Sequence, residues 1–177
     1  MTDKQVSGGR KKVLFIDDDV TARYLVSESL TSAGYDIETA IDGESGLAVF
    51  EAEQFDIVIT DLVMPEPGGL KVLQAIKRKS PLTPVIVLSG LGGFDDVKRA
   101  LQLGAYDYIS KETRGIDPVT LCSAVDRAWE NLRLVRENAE YQRELEAKVS
   151  ERTLELQHAL RDLKEYQKER GDRQWLK

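Results

Sequence analysis

Five short segments typical of β-strands follow one another along the first two thirds of the chain, and a stretch of helical periodicity follows each of them. The segments cover residues 13–16, 36–40, 55–61, 85–88 and 106–109. Several are continuous runs of apolar and β-branched residues, which favours strands buried on both faces. Because strands that alternate with helices pair in parallel, the pattern predicts an α/β domain, doubly wound around a five-stranded parallel sheet with right-handed crossovers.

Polar residues stand where four of these strands end. Asp17 and Asp18 follow the first strand, Asp61 closes the third, Ser89 follows the fourth and Lys111 follows the fifth. Ligands of open α/β sheets bind beyond the carboxyl ends of the strands. We therefore expect these five side chains to enclose one site.

Three carboxylates at one edge need a cation. Two unit charges 4 Å apart interact by roughly 4 kcal/mol at an effective dielectric of 20. Carboxylate oxygens suit Mg²⁺, whereas the chain has only one histidine and one cysteine, too few for a zinc site. With Lys111 as a fixed positive charge and Ser89 as a hydroxyl donor, Asp61 is the candidate to attack phosphorus and form an aspartyl phosphate.

A strand-end aspartate can instead serve only as a helix cap. The run Asp17 to Asp19 stands directly before the first predicted helix, and one of its members could accept a hydrogen bond from that helix. Taken alone, this interpretation would be preferred. Because Asp61, Ser89 and Lys111 are predicted to lie at the same edge of the sheet, we prefer the interpretation that the aspartates form a functional site.

Motifs over residues 12–120 resemble those of response-regulator receiver domains of the chemotaxis-regulator type. They are Val-Leu-Phe-Ile-Asp-Asp-Asp at 13–19, Asp-Leu-Val-Met-Pro at 61–65, Gly-Leu at 69–70, Val-Leu-Ser-Gly at 87–90 and Leu-Gly-Ala-Tyr-Asp-Tyr-Ile-Ser-Lys at 103–111. The resemblance implies a flavodoxin-like sheet with strand order 2-1-3-4-5 and dependence on Mg²⁺. It also implies phosphoryl transfer from a histidine kinase or a phosphotransfer protein.

The same resemblance implies a role for each matching residue. Asp61 would be the phosphoacceptor, assisted by Lys111 and Ser89. The metal ligands would be Asp17, Asp18, Asp61 and the backbone carbonyl of Val63. Ser89 and Tyr108 would form the switch, a hydroxyl and an aromatic ring that move together when phosphate draws the hydroxyl inward.

The sequence departs from the family pattern in two ways. Glu112 follows the lysine where a proline is usual, so the loop after the fifth strand need not take its usual path. Val63 and Leu91, two residues beyond Asp61 and Ser89, are apolar where the family often has polar side chains that position the hydrolytic water. We therefore expect slow autodephosphorylation.

A second class of protein has support from one motif. The segment Phe-Ile-Asp-Asp-Asp-Val-Thr at 15–21 also fits the first motif of haloacid-dehalogenase-type phosphatases, with Asp17 as the nucleophile and Asp19 as the acid/base. That family needs a second acidic pair after its lysine, and no suitable pair follows Lys111. The interpretation also leaves Asp61 without a role, so a switch that is not an enzyme is preferred.

Charge divides the chain into three parts. Residues 1–12 carry four basic residues and one acidic residue, which predicts a disordered basic tail, whereas residues 13–120 carry nine basic and eighteen acidic residues. An acidic domain is a poor match for nucleic acid. With no apolar run of roughly 20 residues and no signal peptide, we expect no membrane contact and a cytoplasmic location.

Residues 121–170 follow a strict heptad pattern that continues from the last receiver helix. Ten of the fourteen seam positions between residues 121 and 167 are apolar. A helix of about 50 residues is roughly 75 Å long, too long to bury its stripe on one small domain. We expect a parallel homodimeric coiled coil through residues 121–167, with a tail at 171–177. A solvated single helix is the alternative.

The segment 145–156 is similar to signalling helices that connect receivers to catalytic outputs. Its continuation to residue 171 resembles the linker before serine/threonine phosphatase-type output domains. We therefore expect the sequence to be the N-terminal part of a longer regulator, in which the helix transmits the change to an output domain or a protein partner.

Overall fold

Strands and helices alternate strictly in the computed structural model, which describes residues 11–90, 94–111 and 116–174. The strands are β1 Lys12–Ile16, β2 Asp36–Ala40, β3 Ile57–Asp61, β4 Val85–Ser89 and β5 Asp107–Ser110. The helices are α1 Val20–Ser32, α2 Gly43–Ala52, α3 Gly69–Lys79, α4 Phe94–Gln102 and α5 Pro118–Gln174. Every predicted element is present, with bounds shifted by a few residues.

The five strands form one parallel sheet with the order β2-β1-β3-β4-β5, which confirms the predicted fold class. The register of the pairing aligns the carboxyl ends of neighbouring strands. Asp61 lies opposite Leu88, and Ser89 lies opposite Ser110. The carboxyl ends of β1, β3, β4 and β5 therefore share one edge of the sheet.

The core has two layers because neighbouring residues of a strand point to opposite faces. On one face, Val13, Phe15, Ile57, Ile59, Ile86 and Leu88 pack with residues of α1 and α5. On the other, Leu14, Ile16, Val58, Val85 and Val87 pack with residues of α2, α3 and α4. Both faces of the central strands are covered, which explains why their sequences are continuously apolar.

Two glycines with a left-handed backbone follow helices. Gly34 has φ 90° after α1, and Gly104 has φ 91° after α4. The Gly104 N–H donates to the Leu101 carbonyl and the Ala105 N–H to the Ala100 carbonyl, so the last carbonyls of α4 are satisfied. A left-handed backbone is costly for residues with a Cβ, and this accounts for glycine at both turns.

The folded domain begins earlier than the predicted boundary at residue 13. Lys12 is the first residue of β1, and its ammonium forms an ion pair with Glu38 at 3.5 Å and a closer one with Glu53. The Lys11 ammonium lies 5.1 Å from the ring centre of Tyr35 and 5.3 Å from that of Trp129. Both lysines therefore belong to the domain, and residues 1–10 of the predicted tail lie outside the described residues.

The chain divides into two compact units, Met1–Arg133 and Leu134–Lys177. Within the first unit, α5 supplies Leu121, Val125, Ala128 and Leu132, all at most 2% exposed. These residues are the first four positions of the predicted dimer seam. Since they are already buried in the receiver core, a dimer interface starting at residue 121 is wrong, and only positions after Leu132 are available.

The second unit is helical to Gln174, so the helix continues through Gly171, where the sequence predicted a tail. One glycine in a helix costs only about 1 kcal/mol, which does not force an end. Its large apolar side chains are exposed: Leu134, Val135, Tyr141, Leu145, Val149, Leu154, Leu156, Leu160, Leu163 and Tyr166. Among the described residues, no helix has an apolar stretch long enough to cross a bilayer.

Candidate functional site

Asp17 and Asp61 are buried carboxylates on neighbouring strands. Asp17 directly follows β1 and is 0% exposed, and Asp61 is the last residue of β3 and is 6% exposed. The Asp61 Oδ1 accepts a hydrogen bond from the Val63 N–H at 3.3 Å. The parallel pairing of β1 with β3 brings the two acids together although 44 positions separate them in the chain.

Lys111 joins the two carboxylates. Its ammonium donates to Asp17 Oδ2 and to Asp61 Oδ2, at 2.7 Å in each case. The Lys111 N–H donates to the Ser89 carbonyl at 2.8 Å, which continues the β4–β5 pairing one residue beyond β5. The hydrogen bond to β4 therefore fixes the backbone of Lys111 at a position from which its side chain reaches both acids.

The protonation of this group follows from burial and charge together. Burial raises the pKa of the Asp17 carboxyl above its usual range, and the Lys111 ammonium only partly offsets that effect. Partial burial by itself would lower the pKa of Lys111. The hydrogen bonds to Asp17 and Asp61 outweigh it, so the lysine pKa lies above its ordinary value. Lys111 is therefore a permanent positive charge at neutral pH.

Asp18 completes an acidic cluster. One carboxylate oxygen each from Asp17, Asp18 and Asp61 lies within 4.8 Å of the others, and Asp18 is exposed while the other two are buried. Oxygen donors of this kind are the ligands that Mg²⁺ prefers. The residues present therefore fit a magnesium ion that would reach the two buried acids from the solvent side of Asp18.

Ser89 and Tyr108 lie on the two adjoining strands. Ser89 is 0% exposed at the end of β4. Tyr108 is half-buried on β5, opposite Val87, and packs against the core cluster beneath α2, α3 and α4. The structure thus places both proposed switch residues on neighbouring strands, with Ser89 at the edge that carries the acids.

Val63 is 65% exposed in the loop after β3. Its N–H contacts Asp61, as described above, whereas the metal-binding role of its carbonyl remains a prediction. Leu91 and Glu112, the other two positions at which the sequence departs from the family pattern, lie outside the described residues. Their effects on hydrolysis and on the last loop also remain predictions.

Gly69 is a residue whose role at the site was not foreseen. A Cβ at Gly69 would lie 1.9 Å from the Asp61 carbonyl oxygen. The start of α3 therefore packs directly on the backbone of the residue that bears the central carboxylate. A Gly-Leu pair after a strand-end aspartate is a visible signal in the sequence, but only the fold shows what the glycine touches.

The strand order and the acidic edge define a flavodoxin-like domain with an acidic pocket. Residues 13–126 match the family model described as the response regulator receiver domain. The chain belongs to this family, whose members act in two-component signalling.

Relatives agree with this assignment. The chain is 37% identical over 102 residues to the "Probable transcriptional regulator ycf27" of Cyanophora paradoxa, a match that covers 58% of this chain and 42% of that protein. It is 34% identical over 143 residues to a "Putative response regulator NtrX-like" of Rickettsia felis, which covers 80% of this chain and 29% of the relative. The chain thus spans well under half the length of these relatives.

Solved structures are similar over the same region. Chemotaxis protein CheY4 of Vibrio cholerae is 31% identical with a TM-score of 0.63, over 68% of this chain and 99% of that one. NtrX from Brucella abortus is 31% identical with a TM-score of 0.70, over 75% of this chain and 30% of that one. The region of similarity is thus nearly the whole of the CheY4 chain but less than a third of the NtrX chain.

Proposed function

We propose that this chain is a phosphorylation-controlled switch in which Asp61 accepts a phosphoryl group. One observation carries the proposal: a single ammonium, Lys111 Nζ, lies 2.7 Å from both Asp17 Oδ2 and Asp61 Oδ2. Asp18 adds a third carboxylate, one oxygen of which lies within 4.8 Å of an oxygen of each of these two acids. A nucleophile, a fixed positive charge and an acidic cation site thus meet at the edge where ligands of such sheets bind.

The chemistry proposed for Asp61 is attack by one carboxylate oxygen on phosphorus. The donor is a phosphohistidine of a histidine kinase or phosphotransfer protein, and its P–N bond breaks as the P–O bond to Asp61 forms. The imidazole nitrogen leaves with the bonding electron pair and takes up a proton. Lys111 stays beside the new acyl phosphate and neutralises part of its charge, and Ser89 donates its hydroxyl to a phosphoryl oxygen.

The residues proposed to hold Mg²⁺ are Asp17, Asp18, Asp61 and the Val63 carbonyl. When bound, the ion would supply positive charge to the phosphoryl oxygens. Asp17 and Asp18 would hold the ion beside Asp61, and Lys111 would carry the rest of the neutralisation. Removal of the ion by a chelator is therefore expected to stop phosphorylation while leaving the fold intact, since the core layers do not depend on it.

The proposed switch couples Ser89 to Tyr108. When the Ser89 hydroxyl moves toward the phosphoryl group, it leaves space on the side of β5, and the half-buried Tyr108 ring turns into it. The resemblance to receiver domains supports this step. The motion would alter the surface formed by α4, β5 and the first turns of α5, which is how the change would reach a partner.

The second unit is proposed to pair with a second copy of itself. Its exposed apolar residues Val149, Leu156, Leu160 and Leu163 continue the heptad seam beyond the receiver core. A helix of this length cannot bury them alone, and pairing in a parallel coiled coil would. The proposed dimer interface covers residues 135–167.

The output of the switch is proposed to be a further domain or a protein partner that reads this dimer. Relatives carry names such as "Transcriptional regulatory protein GlrR" of Escherichia coli, with 36% identity over 118 residues. We prefer a gene-regulatory output on that ground to the phosphatase-type output that the linker resembles. Because this chain has a net charge of −6, any contact with DNA would be made by the output and not by these residues.

A labelling experiment tests the proposal. The chain is incubated with acetyl phosphate and Mg²⁺, and the modified residue is mapped by peptide mass spectrometry. We expect one phosphoryl group on Asp61, none in the Asp61→Asn variant and none with a chelator. Phosphate on another residue of the unaltered chain, or no labelling at all, would contradict the proposal.

The phosphatase alternative makes the opposite prediction, namely continuous turnover through Asp17. Both oxygens of that carboxylate are engaged, Oδ1 by the Asp19 N–H at 2.9 Å and Oδ2 by Lys111 at 2.7 Å. Asp17 is also fully buried. The same holds for Asp61, whose Oδ1 accepts from the Val63 N–H and whose Oδ2 accepts from Lys111, so the contacts alone do not separate the two acids. The match of residues 13–126 to the receiver family is what disfavours Asp17 as the nucleophile.

A further inference from the structure

The backbone of Asp17 is held by a residue that the proposed chemistry does not use. The Asp17 carbonyl accepts a hydrogen bond from Arg23 Nη1 at 2.6 Å. The other polar atoms of Asp17 are engaged as well, since its N–H donates to the Ala40 carbonyl at 3.1 Å and its carboxylate meets Asp19 and Lys111. Arg23 therefore supplies a contact that anchors the carbonyl.

That carbonyl controls more than Asp17. The Asp17 carbonyl and the Asp18 nitrogen belong to one planar peptide unit, so a hydrogen bond at the oxygen restrains rotation of the whole plane. The plane in turn determines the directions in which the side chains of Asp17 and Asp18 leave the backbone. One guanidinium thus restrains two of the three carboxylates of the acidic cluster.

Arg23 is itself held in place by α1. The Asp19 carboxylate caps this helix by accepting from the Thr21 N–H at 2.7 Å, and the Asp19 carbonyl accepts from the Arg23 N–H at 3.0 Å. Farther along α1, Val26 and Leu30 are buried in the core. The half-buried arginine side chain therefore starts from a rigid helix and closes a short ring of contacts back to Asp17.

Charge is the second contribution of Arg23. Its guanidinium carries a positive charge and offers several N–H donors in a fixed plane. The hydrogen bond described for it is to a carbonyl, so it does not use a carboxylate oxygen that a cation needs. It thereby adds positive charge beside Asp17 without occupying a carboxylate oxygen.

We propose that Arg23 is a positioning residue for the cation site, which orients the Asp17–Asp18 peptide so that both carboxylates face Asp61. The inference rests on the proposed function, because the site that Arg23 would orient is the proposed magnesium site. Groups that orient metal ligands typically contribute about 10-fold or more to metal affinity.

The test compares Arg23→Met, which removes donor and charge, with Arg23→Lys, which keeps the charge and one donor group. Arg78→Met is the matched control, since Arg78 is an exposed arginine on α3, away from the acidic edge. Mg²⁺ affinity is measured by isothermal titration calorimetry, and the unfolding midpoint is measured without Mg²⁺. We expect Arg23→Met to weaken Mg²⁺ binding about 10-fold, Arg23→Lys to restore part of it, and the control to be unchanged.

A kinetic measurement separates positioning from a general loss of structure. With acetyl phosphate as donor, Arg23→Met should raise the Mg²⁺ concentration that gives half the maximal rate. At saturating Mg²⁺ its rate should return to within about 2-fold of the unaltered chain. If Arg23→Met does not fold, the Arg23→Lys variant alone still tests the inference through the same two readings.

The outcomes distinguish this inference from the function on which it rests. If the unaltered chain binds Mg²⁺ and is labelled on Asp61, but the Arg23 variants bind Mg²⁺ as tightly as the control, only the inference fails. If the unaltered chain neither binds Mg²⁺ nor accepts phosphate, the proposed function fails and the inference fails with it.

Discussion

The Lys111 ammonium lies 2.7 Å from Asp61 Oδ2, although 50 positions separate these residues in the chain. The same ammonium is equally close to Asp17. Lys111 therefore occupies the point where it balances two buried carboxylates and where, after phosphorylation, it would contact the new phosphoryl group. Removal of its ammonium should therefore change both the free energy of unfolding and the rate of phosphorylation of Asp61.

Lys111→Met should destabilise the domain by about 3 kcal/mol without Mg²⁺, because it leaves two buried carboxylates without their partner. Added Mg²⁺ should restore much of this loss, since the cation replaces the missing charge. Urea unfolding with and without Mg²⁺ measures both effects. Lys79→Met is the control: Lys79 pairs with Glu51 at 3.5 Å on the surface, and its loss should cost within about 1 kcal/mol. Equal losses in the two variants would contradict the prediction.

Asp17→Asn should stabilise the domain at neutral pH without Mg²⁺ and abolish the stabilisation that Mg²⁺ provides. Burial raises the pKa of the Asp17 carboxyl, so this carboxyl binds a proton more tightly in the folded state than in the unfolded state. The stability that this group contributes is therefore fully present below its ordinary pKa of about 4 and is lost as the pH rises through the raised value.

The asparagine variant does not titrate at this position, so its advantage over the unaltered chain should grow as the pH rises from about 4 through the raised pKa of Asp17. Unfolding midpoints measured across this range, with Mg²⁺ absent, provide the comparison. An advantage that shrinks as the pH rises would show that the sign of the pKa shift is wrong.

Gly69→Ala should destabilise the domain by at least about 2 kcal/mol and slow phosphorylation, because the new Cβ would meet a backbone oxygen. The distance from that Cβ to the Asp61 carbonyl oxygen would be only 1.9 Å. The neighbouring glycine provides a matched control. A Cβ at Gly68 would have its nearest atoms at 3.6 Å, and Gly68→Ala should change stability by less than about 1 kcal/mol. The prediction fails if both substitutions have the same effect on unfolding.

Val63→Asn should accelerate loss of phosphate from Asp61, because a polar side chain two residues after the phosphoacceptor can orient the attacking water. Val63 is 65% exposed, so the substitution should leave stability unchanged. The decay of labelled protein after removal of the donor measures the rate. Val63→Ala separates polarity from size, and decay as fast with alanine as with asparagine would rule out the positioning of water as the cause.

Leu156→Lys should weaken the proposed dimer, because it places a charge in the seam of the coiled coil. Leu154→Lys is the matched control: the two leucines are 58% and 64% exposed at positions 154 and 156, but only Leu156 lies on the seam. Sedimentation equilibrium gives the dimer dissociation constant of each variant. A monomeric unaltered chain, or equal effects of both substitutions, would exclude this interface.

Local patterns in the sequence were sufficient to predict the order of the elements and the strands that end in Asp17, Asp61, Ser89 and Lys111. Strands of a parallel sheet must alternate with helices and must end at a common edge, so their apolar runs identify both the fold and the residues at that edge.

Contacts between distant residues required the tertiary structure. The glycine at position 69 and the arginine at position 23 act on backbone oxygens of Asp61 and Asp17, and no periodicity reveals which atoms meet. The heptad seam was ambiguous for another reason: an apolar stripe has the same spacing whether it covers a receiver core or a second helix. Only the burial of Leu121 to Leu132 showed that the first part of the stripe belongs to the domain.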